Sequence, residues 1–115
     1  CDVVDPYLDQ VGWYCGNSNR IRPVGLKEAN GWGLHDTSGN VAEWLFDGAP
    51  YEELPSATSP LVDPLGPEVE GSRYLRGGSW ERNARECTAG FDGWSYLDES
   101  DGRDTGLRPV LTGDP

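Results

Sequence analysis

Long apolar runs are missing from these 115 residues. Nothing approaches the roughly 20 consecutive apolar residues that a spanning helix needs, and no basic segment followed by an apolar one stands at the start. The stretch is therefore expected neither to cross a bilayer directly nor to carry its own export signal. Basic residues are scarce: eight Arg and one Lys face 20 acidic groups, for a formal net charge of −11. Such a field repels phosphate backbones and anionic headgroups, so nucleic acid and membrane surfaces drop out as expected partners. Divalent cations are better matched to a carboxylate excess, although on composition alone the acids serve solubility. Apolar residues make up only 36% of the chain, against 16 Gly and 9 Pro, which excludes a bundle of long helices. The single histidine, His35, excludes a multi-histidine iron site within the chain. Three cysteines, Cys1, Cys15 and Cys87, are too few for a disulfide-dense scaffold and leave at least one thiol free or paired elsewhere. The short loop from Cys1 to Cys15 makes those two the preferred pair, implying an oxidising compartment. A reduced protein with three thiols is the alternative.

Five Trp, five Tyr and two Phe lie dispersed along the chain, and burying such side chains supplies the folding energy that disordered segments lack. The length fits one small domain or part of a larger one, and the opening at Cys1 and Asp2 reads as a processed or truncated longer chain, or as a lipoprotein acylated on its first thiol. Turn residues around Trp13 and Tyr14 predict sparse regular structure up to Asn19. Strands are predicted at 20–24, 41–46, 73–76 and 106–111. Five prolines between 47 and 72 predict a long surface loop, residues 81–86 a bend or short helical turn, and 98–104 another loop. No internal repeat or low-complexity segment interrupts this pattern. The residues by themselves thus describe an acidic, mixed or mostly β domain.

Three phrases are more specific when taken together: Gly31-Trp32-Gly33-Leu34-His35-Asp36-Thr37-Ser38-Gly39-Asn40-Val41-Ala42-Glu43-Trp44, Arg76-Gly77-Gly78-Ser79-Trp80, and Thr105-Gly106-Leu107-Arg108-Pro109-Val110. The chain resembles the formylglycine-generating enzyme family, also called the sulfatase-modifying-factor family, and in particular the C-terminal half of its domain. The Gly12-Trp13-Tyr14-Cys15-Gly16-Asn17-Ser18 phrase and the Pro23-Val24-Gly25 step are similar to bacterial members in the same order. The resemblance implies an irregular α+β, C-type-lectin-like fold with a small antiparallel sheet and long loops. It also implies an N-terminal half elsewhere, on the same precursor or on another subunit. Gly77 and Gly78 are expected to allow close backbone approach beside Trp80 at a bulged strand end.

On spacing alone, Asp36 and Glu43 read as solvated acids flanking the Ser38-Gly39-Asn40 turn, in a loop that is no EF-hand. The resemblance turns them into a calcium site, with side-chain ligands at Asp36 and Glu43 and carbonyl ligands at Gly39 and Val41. Catalytic members hold copper with two cysteines separated by four residues, just after the Gly-Gly-Ser phrase. Here the second position is Cys87 and the first is Arg82, so the thiolate pair is incomplete. Ser79 matches a serine of the family's active pocket, whereas Ala42 stands at an aromatic position beside it and Asp104 replaces an asparagine. Cys87 alone reads as a small buried hydrophobe. His35 reads as packed or stacked near Trp32 and Trp44 and not as part of a triad with Ser79. Trp80, Arg82, Asn83, Arg85, Trp94 and Tyr96 are the candidate ligand-binding surface, with loop packing and Arg ion pairs as the competing explanation.

These expectations converge on a non-catalytic, calcium-stabilised recognition or assembly module in a bacterial extracytoplasmic setting, whether periplasmic, cell-surface or secreted. Its partner is expected to be a protein or a small ligand, its own N-terminal half included. The rival is a copper-dependent oxidase or related redox enzyme that another segment completes through Cys87. A third reading is an accessory subunit of a larger complex.

Overall fold

A computed structural model of the chain describes residues 1, 3–48, 71–91, 93–96 and 102–111, with the backbone alone given for 47, 48 and 93–96. Residues 49–70 of the expected long loop and 98–101 of the expected acidic loop lie outside the described residues. Near the start, Asp5 Oδ1 accepts the N–H groups of Tyr7 and Leu8 at 3.0 and 2.9 Å. That satisfies donors which the opening turn of a helix leaves exposed, and the short helix α1 (Leu8–Val11) follows. Gly12 ends it in extended conformation, with its N–H on the Leu8 carbonyl at 2.8 Å.

Past Gly12 the chain crosses the 38–40 turn at very short range. Trp13 and Gly39 form a parallel bridge, and a Cβ on Gly39 would stand 2.2 Å from the Trp13 oxygen, at a φ of 80° that disfavours side chains anyway. The same turn is clamped on its other side. Gly39 N–H donates to the Gly77 carbonyl at 2.6 Å, and Trp80 N–H donates to the Asn40 carbonyl at 3.0 Å. Two of the sequence phrases are therefore joined through backbone bonds at one knot.

Four strands follow: β1 (Ala42–Gly48), β2 (Ser72–Arg76), β3 (Gly93–Tyr96) and β4 (Thr105–Gly106). Their order across the sheet is β3-β2-β1-β4. β1 runs antiparallel to β2, with Glu43 opposite Arg76 and Trp44 opposite Leu75. β2 runs antiparallel to β3, with Tyr74 opposite Trp94. β4 pairs parallel to β1, so the small sheet is mixed. The register shifts between Trp44 and Gly48, and an irregularity of this kind bends the strand and re-aims its side chains. Phe46, beyond the last regular pair, is 84% exposed.

One expected strand is absent and another is cut short, each for a local reason. At 20–24 the side-chain amide of Asn40 takes the place of a neighbouring strand: its Oδ1 accepts from Arg22 N–H at 3.0 Å and its Nδ2 donates to the Arg22 carbonyl at 3.1 Å. At 106–111 pairing stops after Gly106, ahead of Pro109, which has no N–H with which to continue a ladder. β3 was not foreseen. Residues 84–87 form a 3₁₀ turn that overlaps the bend expected at 81–86 and runs one residue past it, capped reciprocally by Asn83 and Glu86.

Among the described residues the buried apolar side chains are few: Tyr14, Ala42, Tyr74 and Cys87. Tyr14 anchors the N-terminal loops, its hydroxyl accepting from Asp5 N–H at 2.5 Å. Cys15 joins Cys1 in the expected disulfide and donates its N–H to the Arg82 carbonyl at 3.0 Å. Lys27 and Arg22 lie over the Trp13 ring, 4.1 and 5.3 Å from its centroid, so cation–π contacts reinforce the crossing. Among the described residues no helix is long and apolar enough to cross a membrane.

Candidate functional site

Cys87 sits at the end of the 3₁₀ turn, 2% exposed, with its sulfur 3.8 Å from the Ser79 carbonyl oxygen. Burial pushes the thiol up from 9.0 to about 11, and the neighbouring Glu86 charge adds to the effect. At neutral pH roughly one molecule in 10⁴ would carry the thiolate, which is the nucleophilic and metal-binding form. Gly78 makes this burial possible: it has a φ of 66°, and a Cβ there would lie 2.6 Å from the Glu86 oxygen and 2.7 Å from the Cys87 sulfur. The close approach expected of the Gly77-Gly78 pair is thus made towards Cys87, and by Gly77 towards the Thr37 carbonyl.

Ser79 is fully buried. Its hydroxyl donates to Asp104 Oδ2 at 2.7 Å and accepts from Glu81 N–H at 3.3 Å, so it ties the turn after β2 to the segment before β4. The acid at the family's asparagine position therefore acts as a structural acceptor. His35 shares no hydrogen bond with Ser79 among those described. Its Nδ1 faces the Lys27 carbonyl at 2.8 Å, which, having only lone pairs to offer, assigns the Nδ1 proton. His35 is exposed, as is Trp32 at 87%, so the packed or stacked histidine expected there is not formed.

The calcium-ligand candidates come together, but around a guanidinium. Arg108 Nε donates to both Glu43 oxygens at 3.0 and 2.8 Å, and its Nη2 donates to Glu43 Oε1 at 2.6 Å. The same Nη2 reaches the carbonyls of His35 at 2.9 Å and Asp36 at 3.2 Å. The hydrogen bond to Glu43 in turn holds Arg108 above its usual pKa. Asp36 is 8% exposed, contrary to a solvated acid. Its Oδ2 accepts from Gly25 N–H at 2.7 Å, while its Oδ1 is buried without a partner. Asp36 Oδ1 is thus the one carboxylate oxygen of the set without a hydrogen-bond partner. As a group, the four donors do not fit a divalent ion while Arg108 holds Glu43, and no cluster of three or more His, Cys, Asp or Glu side chains occurs among the described residues. A cavity of about 460 Å³ opens beside these groups, with Val24, Leu34 and Leu107 on its apolar side.

The expected recognition surface divides. Asn83 is spent on capping the 3₁₀ turn, its Oδ1 accepting from Arg85 and Glu86 N–H at 3.0 and 3.3 Å. Arg82 is exposed and pairs with Glu86 at 3.6 Å. Trp80 is partly exposed, its N–H engaged by Asn40. Asn83 and Arg85 line a smaller cavity of about 260 Å³ beside the disulfide. The side chains of Trp94 and Tyr96 lie outside the described residues. Two residues had no assigned role in the sequence reading. Asn40, 2% exposed, is the hub of the backbone knot, and Arg108 is the cation facing Glu43. The signal available for Arg108 was its place in a recurring phrase; nothing in that phrase names an acid 65 positions away.

The irregular α+β architecture has a solved counterpart in Treponema denticola variable protein 1, with a TM-score of 0.78 and 31% identity over 90% of this chain and 37% of that one. The model of the Sulfatase-modifying factor enzyme 1-like domain matches residues 6–112, and the chain belongs to this sulfatase-modifying-factor family. It is similar to the formylglycine-generating enzyme of Streptomyces coelicolor, 47% identical over 58 residues that make up 50% of this chain and 18% of that protein. It is also similar to the chaperone protein LppX of Paenibacillus barcinonensis, 31% identical over 82% of this chain and 29% of that protein. The chain spans between 18% and 37% of the length of these relatives.

Proposed function

We propose that this part of the family domain is a non-catalytic recognition or assembly module. The observation that carries the reading is Cys87: a single buried thiol, protonated at neutral pH and turned towards the Ser79 carbonyl. An exposed arginine, Arg82, stands at the position of the family's first cysteine. Copper(I) chemistry needs paired soft thiolates, and this site offers one thiol with its charge suppressed. The Cys1–Cys15 bond supports placement in an oxidising, extracytoplasmic compartment.

Calcium enters the proposal as a stabiliser. Its ligands would be the unpartnered Asp36 Oδ1 and the Gly39 and Val41 carbonyls, and full use of Glu43 requires the release of Arg108. Glu43→Ala should then abolish the difference that calcium and chelator make to the melting curve. An unchanged curve with the native protein would remove calcium from the proposal.

A second reading is favoured by the 47% identity to a formylglycine-generating enzyme, namely a copper-dependent oxidase in which another segment supplies the second ligand to Cys87. Anaerobic Cu(I) titration of the full-length protein separates the two. Tight stoichiometric binding lost in Cys87→Ser, with oxidation of a thiol-bearing peptide to an aldehyde, would replace the module reading.

A further inference from the structure

Deepening the assembly reading and resting on it, we propose that the face around Val24, Trp32, Leu34 and Leu107 seats the N-terminal half of the family domain, carried on the same polypeptide and packed there through apolar contacts. Three segments of the chain meet at this face. Val24, Leu34 and Leu107 line one cavity of about 460 Å³, and Leu26, Trp32 and Val110 flank them along the chain. Trp32 is 87% exposed, Val110 82%, Val24 79% and Leu107 76%. One exposed apolar side chain calls for no explanation, whereas several gathered on one cavity mark an interaction surface. The charged groups of the wall are turned inward: Arg108 is committed to Glu43, and Asp36 is buried. What the face offers is therefore apolar, and the contact uses none of the calcium donors.

These side chains are exposed on fixed backbone. Asn30 Oδ1 accepts from Trp32 and Leu34 N–H at 2.9 and 3.1 Å, and Asn30 N–H donates to the Leu34 carbonyl at 2.9 Å, so Trp32 stands on a closed turn. Gly25 N–H is tied to Asp36, and Arg108, next to Leu107, is tied to Glu43. A surface ordered in advance loses little entropy on docking.

Three observations identify the occupant. The chain spans only 18% to 37% of the length of its relatives, and the segment shared with the family, residues 6–112, contains the whole face. Among the described residues only Tyr14, Ala42, Tyr74 and Cys87 are buried apolar side chains, a small core that a second half would complete. The net charge of −11 opposes the approach of a second copy, whereas a tethered half arrives at high effective concentration.

The test is hydroxyl-radical footprinting of the full-length protein, each side chain's oxidation rate in the native state being divided by its rate in denaturant. Trp32 and Leu107 should be slowed severalfold, independently of protein concentration. Rates close to those in denaturant, as 87% exposure of Trp32 would give, overturn the proposal. Trp32→Ser in the full-length protein should lower Tm by about 5 °C or more, as for an aromatic side chain removed from a core, and an unchanged Tm counts against it. Val110→Cys, at the edge of the face and labelled with benzophenone maleimide, identifies the occupant. On irradiation it should cross-link within the same chain to a peptide on the N-terminal side of residue 1. A cross-link between two copies, with protection that fades on dilution, overturns the proposal in favour of self-association, and one to a separate polypeptide overturns it in favour of a subunit partner. The Cu(I) titration reads Cys87 and not this face, so failure of the non-catalytic reading and failure of this proposal are distinguishable.

Discussion

Replacing Arg108 with methionine keeps most of the side chain's apolar stem and removes the guanidinium that binds Glu43 and two backbone carbonyls. Hydrogen bonds to charged groups contribute about 1.5 to 3 kcal/mol when well formed, whereas fully exposed ion pairs contribute about 0 to 1 kcal/mol. The Arg108 side chain is 34% exposed and that of Glu43 23%, so the pair lies between those limits, and a loss of about 2 kcal/mol is expected. For a chain of this length that corresponds to a fall in Tm of roughly 8 °C. The assay is thermal unfolding of the native protein, Arg108→Met, Glu43→Gln and the double variant. The pair should show a coupling energy of about 1 kcal/mol or more. Arg108→Lys should recover only part of the loss, because an ammonium cannot reproduce the planar fork that serves the carboxylate and the carbonyls together. Additivity within about 0.3 kcal/mol would refute the idea that this pair fastens the segment after β4 to β1.

Cys87 supplies a pH signature. Its folded pKa is raised from 9.0 to about 11, so the folded state holds its proton where the unfolded chain has released it. This contribution is complete below pH 9 and is lost as pH rises towards 11, by roughly 2 to 3 kcal/mol in total. Cys87→Ala should lack that alkaline loss in denaturant titrations, and identical slopes for the two proteins would show that the thiol is not desolvated. Gly78 and Gly25 form a controlled pair, with φ of 66° and 74°. An alanine at Gly25 would meet nothing within 4 Å and should cost about 1 to 2 kcal/mol for the left-handed backbone alone. An alanine at Gly78 would press on the Glu86 oxygen at 2.6 Å and should cost roughly 3 kcal/mol or more. Equal melting points for the two variants would dissolve the distinction.

Short-range chemistry was legible in the chain before any fold was seen. Alternation around Val41 to Phe46 and Arg73 to Arg76 marked β1 and β2, and Gly77-Gly78 announced a close backbone approach. The brief loop between Cys1 and Cys15 marked the disulfide, and the polar run after Trp80 marked the 3₁₀ turn. Each of these rests on residues within a short stretch of chain, at most 14 positions apart, whose sterics and hydrogen bonding the local sequence spells out.

What the sequence could not rank was competition between distant partners. Arg20 to Val24 has the pattern of a strand, yet the amide of Asn40 occupies its Arg22 hydrogen-bonding groups. Asp36 and Glu43 read on spacing as solvated acids and by resemblance as a shared ion site, yet Arg108 arrives from β4's far end and takes Glu43, leaving Asp36 Oδ1 without a hydrogen-bond partner. Side-chain chemistry and turn propensity were thus properties of the chain itself. The pairing of charges and the choice of which polar group satisfies a given backbone were decided only when the sheet brought remote segments within about 3 Å of one another, the range at which hydrogen bonds form.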